Sequence, residues 1–232
     1  MVDPTDFLRR TPLRRVIPGP VEWNALDDGA VAWRVGHRDT VGDLAVVDLS
    51  PLPRLGFKGR GTIPAMRTRG LTLEPEPNRA FRQPDESLCL VLGAGEVLLL
   101  GPLEGGGTSS VLERRWRIED GEGTYPVPRG DTHAWLAVAG RAVPDLLAKL
   151  CAVDFRLNKF ADLAIAQTSV ARLNAIVARA DRGGMPVFHL LADSASSAYL
   201  LGCLLDAAGE FGGVMVGCEA LRPRDGRSNG AR

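Results

Sequence analysis

The feature that most constrains the fold is a strand–helix junction that occurs twice. In each half of the chain a strand-like run ends in Gly-Arg and leads into a helical segment with an early proline. Residues 59–60 precede Pro64, and residues 140–141 precede Pro144. Proline is tolerated in a first helical turn because the N–H group that it lacks has no partner there. A repeat of about 80 residues is too long for a solenoid unit and indicates a duplicated α+β module.

Each half of the chain reads as strand–helix–strand–strand, and the second half closes with a further helix. This order predicts an α+β fold of duplicated ferredoxin-like split β-α-β modules, whose antiparallel sheets carry helices on one face. The predicted organisation is an extended N-terminal arm at 1–25, a first module at 26–120, a second module at 121–218 and a flexible tail at 219–232.

Two helices of the second half are predicted from apolar residues at helical spacing. The predicted buried faces are Val143, Leu146, Leu147, Leu150 and Cys151 in the helix at 141–152, and Tyr199, Leu201, Leu204, Leu205 and Ala208 in the last helix. The last helix is predicted to begin among Ser194–Ser197 and to end at Gly212-Gly213, since serine favours helix starts and glycine helix ends.

The glycine-rich stretch "VLGAGEVLLLGPLEGGGTSS", at residues 91–110, raises the question of a phosphate site. A dinucleotide fingerprint needs a third glycine where Leu98 stands, and a P-loop needs a lysine where Gly107 stands. The run "EVLLL" is short and bounded by glycines, which is typical of a strand. The sequence therefore predicts a hairpin that turns through Ala94-Gly95, with glycines supplying positive φ angles.

Charge and hydropathy exclude several classes of function. Lysine plus arginine equals aspartate plus glutamate at 28 each, so the formal net charge is zero. This balance argues against binding through phosphate neutralisation, and no nucleic-acid partner is expected. No apolar run approaches the roughly 20 residues that span a bilayer, so no transmembrane helix is expected. The N-terminus lacks the apolar segment of a secretory signal, and a cytoplasmic location is expected.

No metal site and no catalytic residue are predicted. The cysteines and histidines are Cys89, Cys151, Cys203, Cys218, His37, His133 and His189. The cysteines form no Cys-x-x-Cys pair and are expected to be buried free thiols. The isolated histidines are expected to be packed or surface residues, because no His/Cys/carboxylate cluster has metal-ligand spacing. No nucleophile motif such as Gly-x-Ser-x-Gly is present.

One long series of segments resembles a known family. The segments "CAVDF", "AIAQTSVARLNAI", "FHLLADSAS" and "LLDAAGEFG" occur in this order, and "DLSPLPRLGFKGRGT" precedes them. Together they resemble the gamma subunit of heterotetrameric sarcosine oxidase over about residues 9–213. The wider relatives are the glycine-cleavage T-protein group, aminomethyltransferases that bind tetrahydrofolate. The resemblance implies a T-protein-like folate-domain fold for this chain.

The resemblance also implies an accessory, non-catalytic role. Its partners would be the alpha, beta and delta subunits of an oxidase complex that demethylates a secondary amine such as sarcosine. FAD, FMN, NAD and tetrahydrofolate would be bound by those partner subunits, and this chain would bind no cofactor. N-methylglutamate dehydrogenase has a similar subunit, so the resemblance does not fix the amine.

Two residues are candidates for cofactor binding. T-proteins carry an R-T-G-Y-T-G-E-x-G run whose glutamate helps to hold the pterin, and the matching place here, 167–175, reads "QTSVARLNA". Thr168 is kept, but neither tyrosine nor glutamate follows it. Arg172 could hold an anion, although it cannot accept the hydrogen bonds that a pterin edge offers. Glu96 stands near the place of an aspartate that T-proteins use in the first module, and a solvated surface residue is the alternative.

The partner-binding candidates are the arginines of the arm, namely Arg9, Arg10, Arg14 and Arg15, with a loose basic terminus as the alternative. Trp23, Trp33 and Phe57 are further interface candidates, whereas Trp135 is expected in the core. Deleting residues 1–20 is expected to weaken assembly and to leave melting almost unchanged. The alternative functions are a stand-alone folate-dependent aminomethyltransferase and a folate-binding regulatory protein.

Overall fold

The computed structural model describes residues 1–117, 119 and 123–222. The strands are β1 Val21–Leu26, β2 Gly29–Val35, β3 Ala45–Asp48, β4 Arg54–Lys58, β5 Arg79–Arg82, β6 Leu88–Gly93, β7 Glu96–Leu100, β8 Tyr125–Pro128, β9 His133–Ala139, β10 Ile165–Val170, β11 Leu173–Arg179, β12 Val187–Asp193 and β13 Val214–Val216. The helices are α1 Thr62–Thr68, α2 Gly107–Arg115, α3 Val143–Leu150 and α4 Ser197–Gly209, with short 3-10 turns at Pro4–Asp6, Ser194–Ser196 and Cys218–Leu221.

The strands form two large sheets and one hairpin. The first sheet has the order β5-β6-β7-β4-β8 and is antiparallel. The second sheet has the order β10-β11-β12-β9-β3-β13, and its pairs are antiparallel except for β3 with β13. Strands β1 and β2 form a separate two-stranded antiparallel sheet. The protein is therefore a mixed α/β fold with several sheets and few helices.

The two sheets pack face to face, with helices on their outer faces. Alternation along the strands explains this arrangement. In β6, Leu90 points into the layer between the sheets, and its neighbours Cys89 and Val91 point to the face that carries α1 and α2. In β9, Trp135 faces the first sheet, and Leu136 faces α3 and α4. Both faces of these strands are buried, which is why they read as continuous apolar runs.

Two strands cross the predicted module boundary at residue 120. Strand β3, from the first predicted module, lies between β9 and β13 in the second sheet. Strand β8 follows the boundary but pairs with β4 in the first sheet. In the first sheet β7 lies between β4 and β6, and in the second sheet β12 lies between β9 and β11. The division into modules stays a prediction.

Both predicted helices of the second half are present, but α4 ends at Gly209 rather than at Gly212-Gly213, and Leu150 and Cys151 are only half-buried. One predicted face is also corrected. Helix α3 buries Val143, Leu146 and Leu147 as expected. Helix α4 buries Leu201 and Leu204 but leaves Tyr199 54% exposed. The buried face of α4 also includes Leu200 and Ala207, so it is rotated from the prediction. All of "YLLGCLL" is apolar or small, and its spacing alone does not define which side meets the sheet.

The hairpin of β6 and β7 is confirmed, with Gly93 opposite Glu96. The expected reason for its glycine is wrong, because Gly95 does not have a positive φ angle. A Cβ atom at Gly95 would lie 2.7 Å from the carbonyl oxygen of Gly59, so close backbone approach requires glycine there. The positive φ angles occur in residues 105–107, which lead into α2.

The N-terminal residues pack on the fold. Leu13 is fully buried in the core beneath α3 and α4, and Val2 donates its backbone N–H to the carbonyl of Trp23. This burial argues against the expectation that deleting residues 1–20 leaves melting almost unchanged. In the predicted tail, residues 219–222 include the end of a 3-10 turn, and Glu219 accepts hydrogen bonds from Arg34. The rest of that tail, residues 223–232, lies outside the described residues.

Candidate functional site

A cleft of about 370 Å³ opens at one end of the layer between the sheets. Its lining residues are His133, Gln167, Thr168, Asn174, Ala175, Ile176 and Leu191. Ile176 and Leu191 belong to the apolar core between the sheets, and they form the apolar part of the wall. The polar lining comes from the start of β9, the middle of β10 and the start of β11. The cleft thus combines apolar walls with a few convergent polar groups, as small-ligand sites do.

Gln167 closes the cleft toward the first sheet. Its Nε2 atom donates to Oδ1 of Asn78 at 2.9 Å and to the carbonyl oxygen of Leu92 at 2.7 Å. Leu92 lies in β6, so this amide joins β10 of the second sheet to the first sheet. The residue that replaces the T-protein arginine in the matching run therefore has a structural contact of its own.

The lining of the cleft is uncharged at neutral pH. Burial, together with the nearby cations Arg129 and Arg54, lowers the pKa of His133 below its ordinary value. The Nδ1 atom of His133 lies 2.8 Å from the hydroxyl of Thr132. No aspartate or glutamate lines the cleft among the described residues. Its chemistry is that of amides, hydroxyls and a neutral imidazole, which suits neutral hydrogen-bonding partners.

The position that matches the pterin-binding glutamate is apolar. Leu173 packs against the core on the helix side of the second sheet, away from the layer that contains the cleft. The turn between β10 and β11 consists of Ala171 and Arg172, with φ angles of 48° and 67°. Arg172 is therefore exposed at a tight turn.

Glu96 and Arg172 are not brought together. The carboxylate of Glu96 lies 3.1 Å from Nζ of Lys58 and 2.9 Å from Nη2 of Arg129, and its side chain is 24% exposed. These contacts hold Glu96 on the first sheet, where two cations already balance its charge. Within the described part of the chain, no hydrogen bond or ion pair joins it to Arg172.

The four arm arginines have different surroundings. Arg9 is mostly covered and lies 3.6 Å from Asp28 and 3.5 Å from Glu113. Arg10 donates to the carbonyl of Phe7. Arg14 lines an open cleft of about 700 Å³ beside Trp23, and Arg15 is exposed.

The aromatic interface candidates also differ in exposure. Trp135 is buried, as predicted. Phe57 is fully buried in β4 against Trp116, so it is not an interface residue. Trp23 and Trp33 are half-buried.

Sequence reasoning missed a buried polar centre where the chain crosses between the sheets. Arg54 is 2% exposed, and its guanidinium donates to the carbonyls of Ser50, Gly130 and His133 at 2.6, 2.6 and 2.8 Å. Burial lowers the pKa of Arg54 to about 10, although the nearby carboxylate of Asp48 opposes this shift. The sequence "DLSPLPR" contains Asp48, Ser50 and Arg54, but only the packing of the two sheets shows that these residues are buried.

In the glycine-rich stretch that was compared with a P-loop, an aspartate of the chain itself accepts the hydrogen bonds that a phosphate would accept. The backbone N–H and the hydroxyl of Thr108 donate to Oδ2 of Asp85 at 2.6 and 2.7 Å. Burial acts to raise the pKa of Asp85, but hydrogen bonds from Thr108 and Ser87 bring it below its ordinary value. A carboxylate therefore takes the place that an anion would take at the start of α2.

The remaining groups do not suggest a metal or redox site. In residues 1–117, 119 and 123–222, no three His, Cys, Asp or Glu side chains are grouped as metal ligands. The cysteines are free; Cys89 and Cys218 are buried, whereas Cys151 and Cys203 are partly exposed. Burial raises the pKa of Cys89 and Cys218 to about 12. The helices of the same part of the chain are all too short or too polar to cross a membrane.

Comparisons with known proteins identify the fold. No model of a known protein family and no curated protein matches the sequence. Heterotetrameric sarcosine oxidase from Corynebacterium sp. U-96, in complex with pyrrole 2-carboxylate, contains a chain that matches with a TM-score of 0.61 and 18% identity. That match covers 74% of this chain and 88% of the other.

Glycine cleavage system aminomethyltransferase T from Bartonella henselae matches with a TM-score of 0.69 and 14% identity. The match covers 92% of this chain, which spans 60% of the length of that protein. At these identities the similarity concerns the fold. The chain therefore has a mixed α/β, T-protein-like fold that it shares with a sarcosine oxidase chain and with aminomethyltransferase T.

Proposed function

We propose that this chain is an accessory, non-catalytic subunit of the gamma type in a sarcosine-oxidase-type flavoenzyme complex. One observation carries the proposal: the fold is T-protein-like, yet Leu173 replaces the pterin-binding carboxylate and turns into the helix-side core. A pterin edge presents hydrogen-bond donors, and a leucine side chain has no atom that accepts a hydrogen bond from them. The chain thus combines the architecture of a folate-binding group with a neutral cleft.

The proposal assigns the chemistry to other chains. Alpha, beta and delta subunits would be the partners in a cytoplasmic heterotetramer of one-carbon metabolism, built here on duplicated ferredoxin-like modules. FAD, FMN, NAD and tetrahydrofolate would be bound by those subunits. The amine would be sarcosine or a similar secondary amine. The sarcosine oxidase chain that this fold matches comes from a heterotetrameric enzyme, which supports the multi-subunit reading.

A folate-binding protein that acts alone is the second candidate. The observation in its favour is that Gln167, Thr168 and Asn174, from the stretch that matches the T-protein motif, line the cleft of about 370 Å³. Such a protein binds tetrahydrofolate without a partner, and the cleft residues are then its ligands.

The deciding experiment is purification of the full chain, tagged at its C-terminus, from its native host. The accessory-subunit proposal predicts a yellow complex with one large and one medium partner, whose flavin is reduced by a secondary amine. A colourless chain whose melting temperature rises with tetrahydrofolate contradicts the proposal and supports the second candidate. The Asn174→Ala variant then tests the cleft, because loss of its side chain would reduce that rise.

A further inference from the structure

The edge of the second sheet at β10 is open along part of its length. In the two-residue hairpin, Val170 pairs with Leu173, so even-numbered residues of β10 exchange hydrogen bonds with β11. The backbone groups of Gln167 and Ser169 therefore point outward, and both residues are exposed. Among the described residues, none of these four backbone groups has a hydrogen-bonding partner.

The chain itself uses the first part of the same edge. Ile165 donates its backbone N–H to the carbonyl of Asn78 at 2.9 Å, and Arg79 forms an antiparallel bridge with Ala164. Upstream of this contact the chain turns away, because Asn78 has a φ angle of 61° and follows Pro77. Strand β5 thus begins the pairing, and the positions opposite Gln167 and Ser169 remain free.

The other edges of the two large sheets are protected in ways that β10 is not. Edge strand β8 contains Pro126 and Pro128, and edge strand β5 carries Arg79 and Arg82. Edge strand β13 has only three residues. Prolines, charges and short length are the usual means of preventing pairing with another chain. The sequence of β10, "IAQTSV", has neither proline nor charge.

We propose that β10 binds an extended segment of a partner polypeptide, which adds a strand antiparallel to β10 at Gln167–Ser169. This inference rests on the proposed function, and it names where the partner docks. The backbone supplies the hydrogen bonds, and the adjacent cleft receives a side chain from the segment. Because the cleft lining is neutral, the segment has small or neutral polar side chains. It has no proline at the paired positions, because proline lacks the backbone N–H group that strand pairing uses.

A second copy of this chain does not fit the same edge in the register that pairs Gln167 with Ser169. In a symmetric antiparallel pair centred on Thr168, the turn at Ala171 and Arg172 of one copy would lie opposite residues 164–165 of the other. Asn78 and Arg79 already occupy that place. A single extended segment that leaves the edge before residue 165 avoids this clash.

The test compares Ser169→Pro with Ser169→Ala in the purified complex. Proline removes the outward N–H group and leaves the β10–β11 ladder intact, whereas alanine keeps that group. We expect Ser169→Pro to reduce recovery of the flavin-containing partner by about tenfold or more, and Ser169→Ala to leave it unchanged. In the wild-type complex, the amides of Gln167 and Ser169 are expected to exchange with deuterium about tenfold more slowly than in the free chain.

The outcomes separate this inference from the proposed function. A wild-type complex in which both amides exchange as fast as in the free chain overturns the docking site and leaves the accessory role intact. This readout also decides the matter if Ser169→Pro fails to fold. A free chain that dimerises with these amides protected replaces the partner by a second copy. If the wild-type chain forms no flavin-containing complex, the proposed function fails and the docking inference falls with it.

Discussion

The centre and the open end of the layer between the sheets differ in the burial and the charge of their polar side chains. At the centre, Arg54 and Asp48 are almost completely buried, and the Arg54 guanidinium is bonded to backbone carbonyls. At the open end, Gln167 and Asn174 are exposed and line a neutral cleft. A buried charge therefore links the two sheets at the centre, whereas no carboxylate of the described residues lines the cleft at the open end.

The largest effect is expected from Arg54→Met, which tests whether the centre is structural. The variant leaves the carbonyls of Ser50, Gly130 and His133 unpaired and the buried Asp48 without its nearby cation. We expect the free energy of unfolding to fall by about 3–5 kcal/mol. Urea denaturation measures it. The control is Arg141→Met, since Arg141 is 84% exposed and its loss should change little; equal effects would contradict the distinction.

A buried and an exposed leucine of the N-terminal segment extend the comparison to apolar side chains. Leu13 is fully buried, and Leu8 is 89% exposed on the same N-terminal segment. We expect Leu13→Ala to lower the free energy of unfolding by about 3 kcal/mol because it leaves a cavity. Leu8→Ala should change it by less than about 0.5 kcal/mol. Thermal melts of both variants check this, and a stable Leu13→Ala variant would show that the N-terminal segment is not part of the core.

Protonation of the buried His189 should destabilise the folded protein in acid. Burial, with a smaller effect of Arg182 and Arg82, lowers the pKa of His189 from 6.5 to about 3. The unfolded chain therefore takes up this proton at higher pH than the folded chain, and stability is lost as pH falls from 6.5 toward 3. The expected contribution is about 1 kcal/mol per pH unit in this window.

The matched variant for the acid effect is His189→Gln, which can still accept the hydrogen bond that Trp135 donates to Nδ1 at 3.1 Å. Its free energy of unfolding should depend less steeply on pH than that of the wild type. Parallel pH profiles for the two proteins would assign the acid sensitivity to other groups.

The smallest effect is expected at the open end. Gln167→Ala removes the two hydrogen bonds that join β10 to Asn78 and Leu92, and we expect a loss of about 1 kcal/mol. Asn174→Ala, in the same cleft, breaks no such link between the sheets and should have less effect. Differential scanning calorimetry compares them. Equal losses would indicate that the cleft residues contribute by general packing.

Local pattern predicted much of the secondary structure. The β6–β7 hairpin, α1 and α3 could be read from apolar spacing and from proline and glycine at their ends. The rotation of α4 could not, because its apolar residues surround the helix and only contact with the sheet selects Leu200 over Tyr199. The need for glycine at Gly95 was also hidden, since it depends on Gly59 of another strand.

The candidate site was less accessible to sequence reasoning. The stretch 167–175 was singled out because it matches the place of the T-protein motif, and its polar residues Gln167, Thr168 and Asn174 line the cleft. Glu96 stays a prediction, and its pairing with Lys58 and Arg129, which are distant in sequence, could not be read from the local pattern. The open edge at Gln167 and Ser169 depends on where Asn78 turns away, which no local pattern reveals.

The sequence by itself determined several strands and helices and the apolar residue at position 173, because these depend on residue type and on neighbours along the chain. Only the tertiary structure decided that β3 and β8 cross between the halves, that Arg54 is buried and that β10 has a free edge. Strand pairing joins segments far apart in sequence, and the free energy that selects one pairing comes from burying both faces of the sheets together.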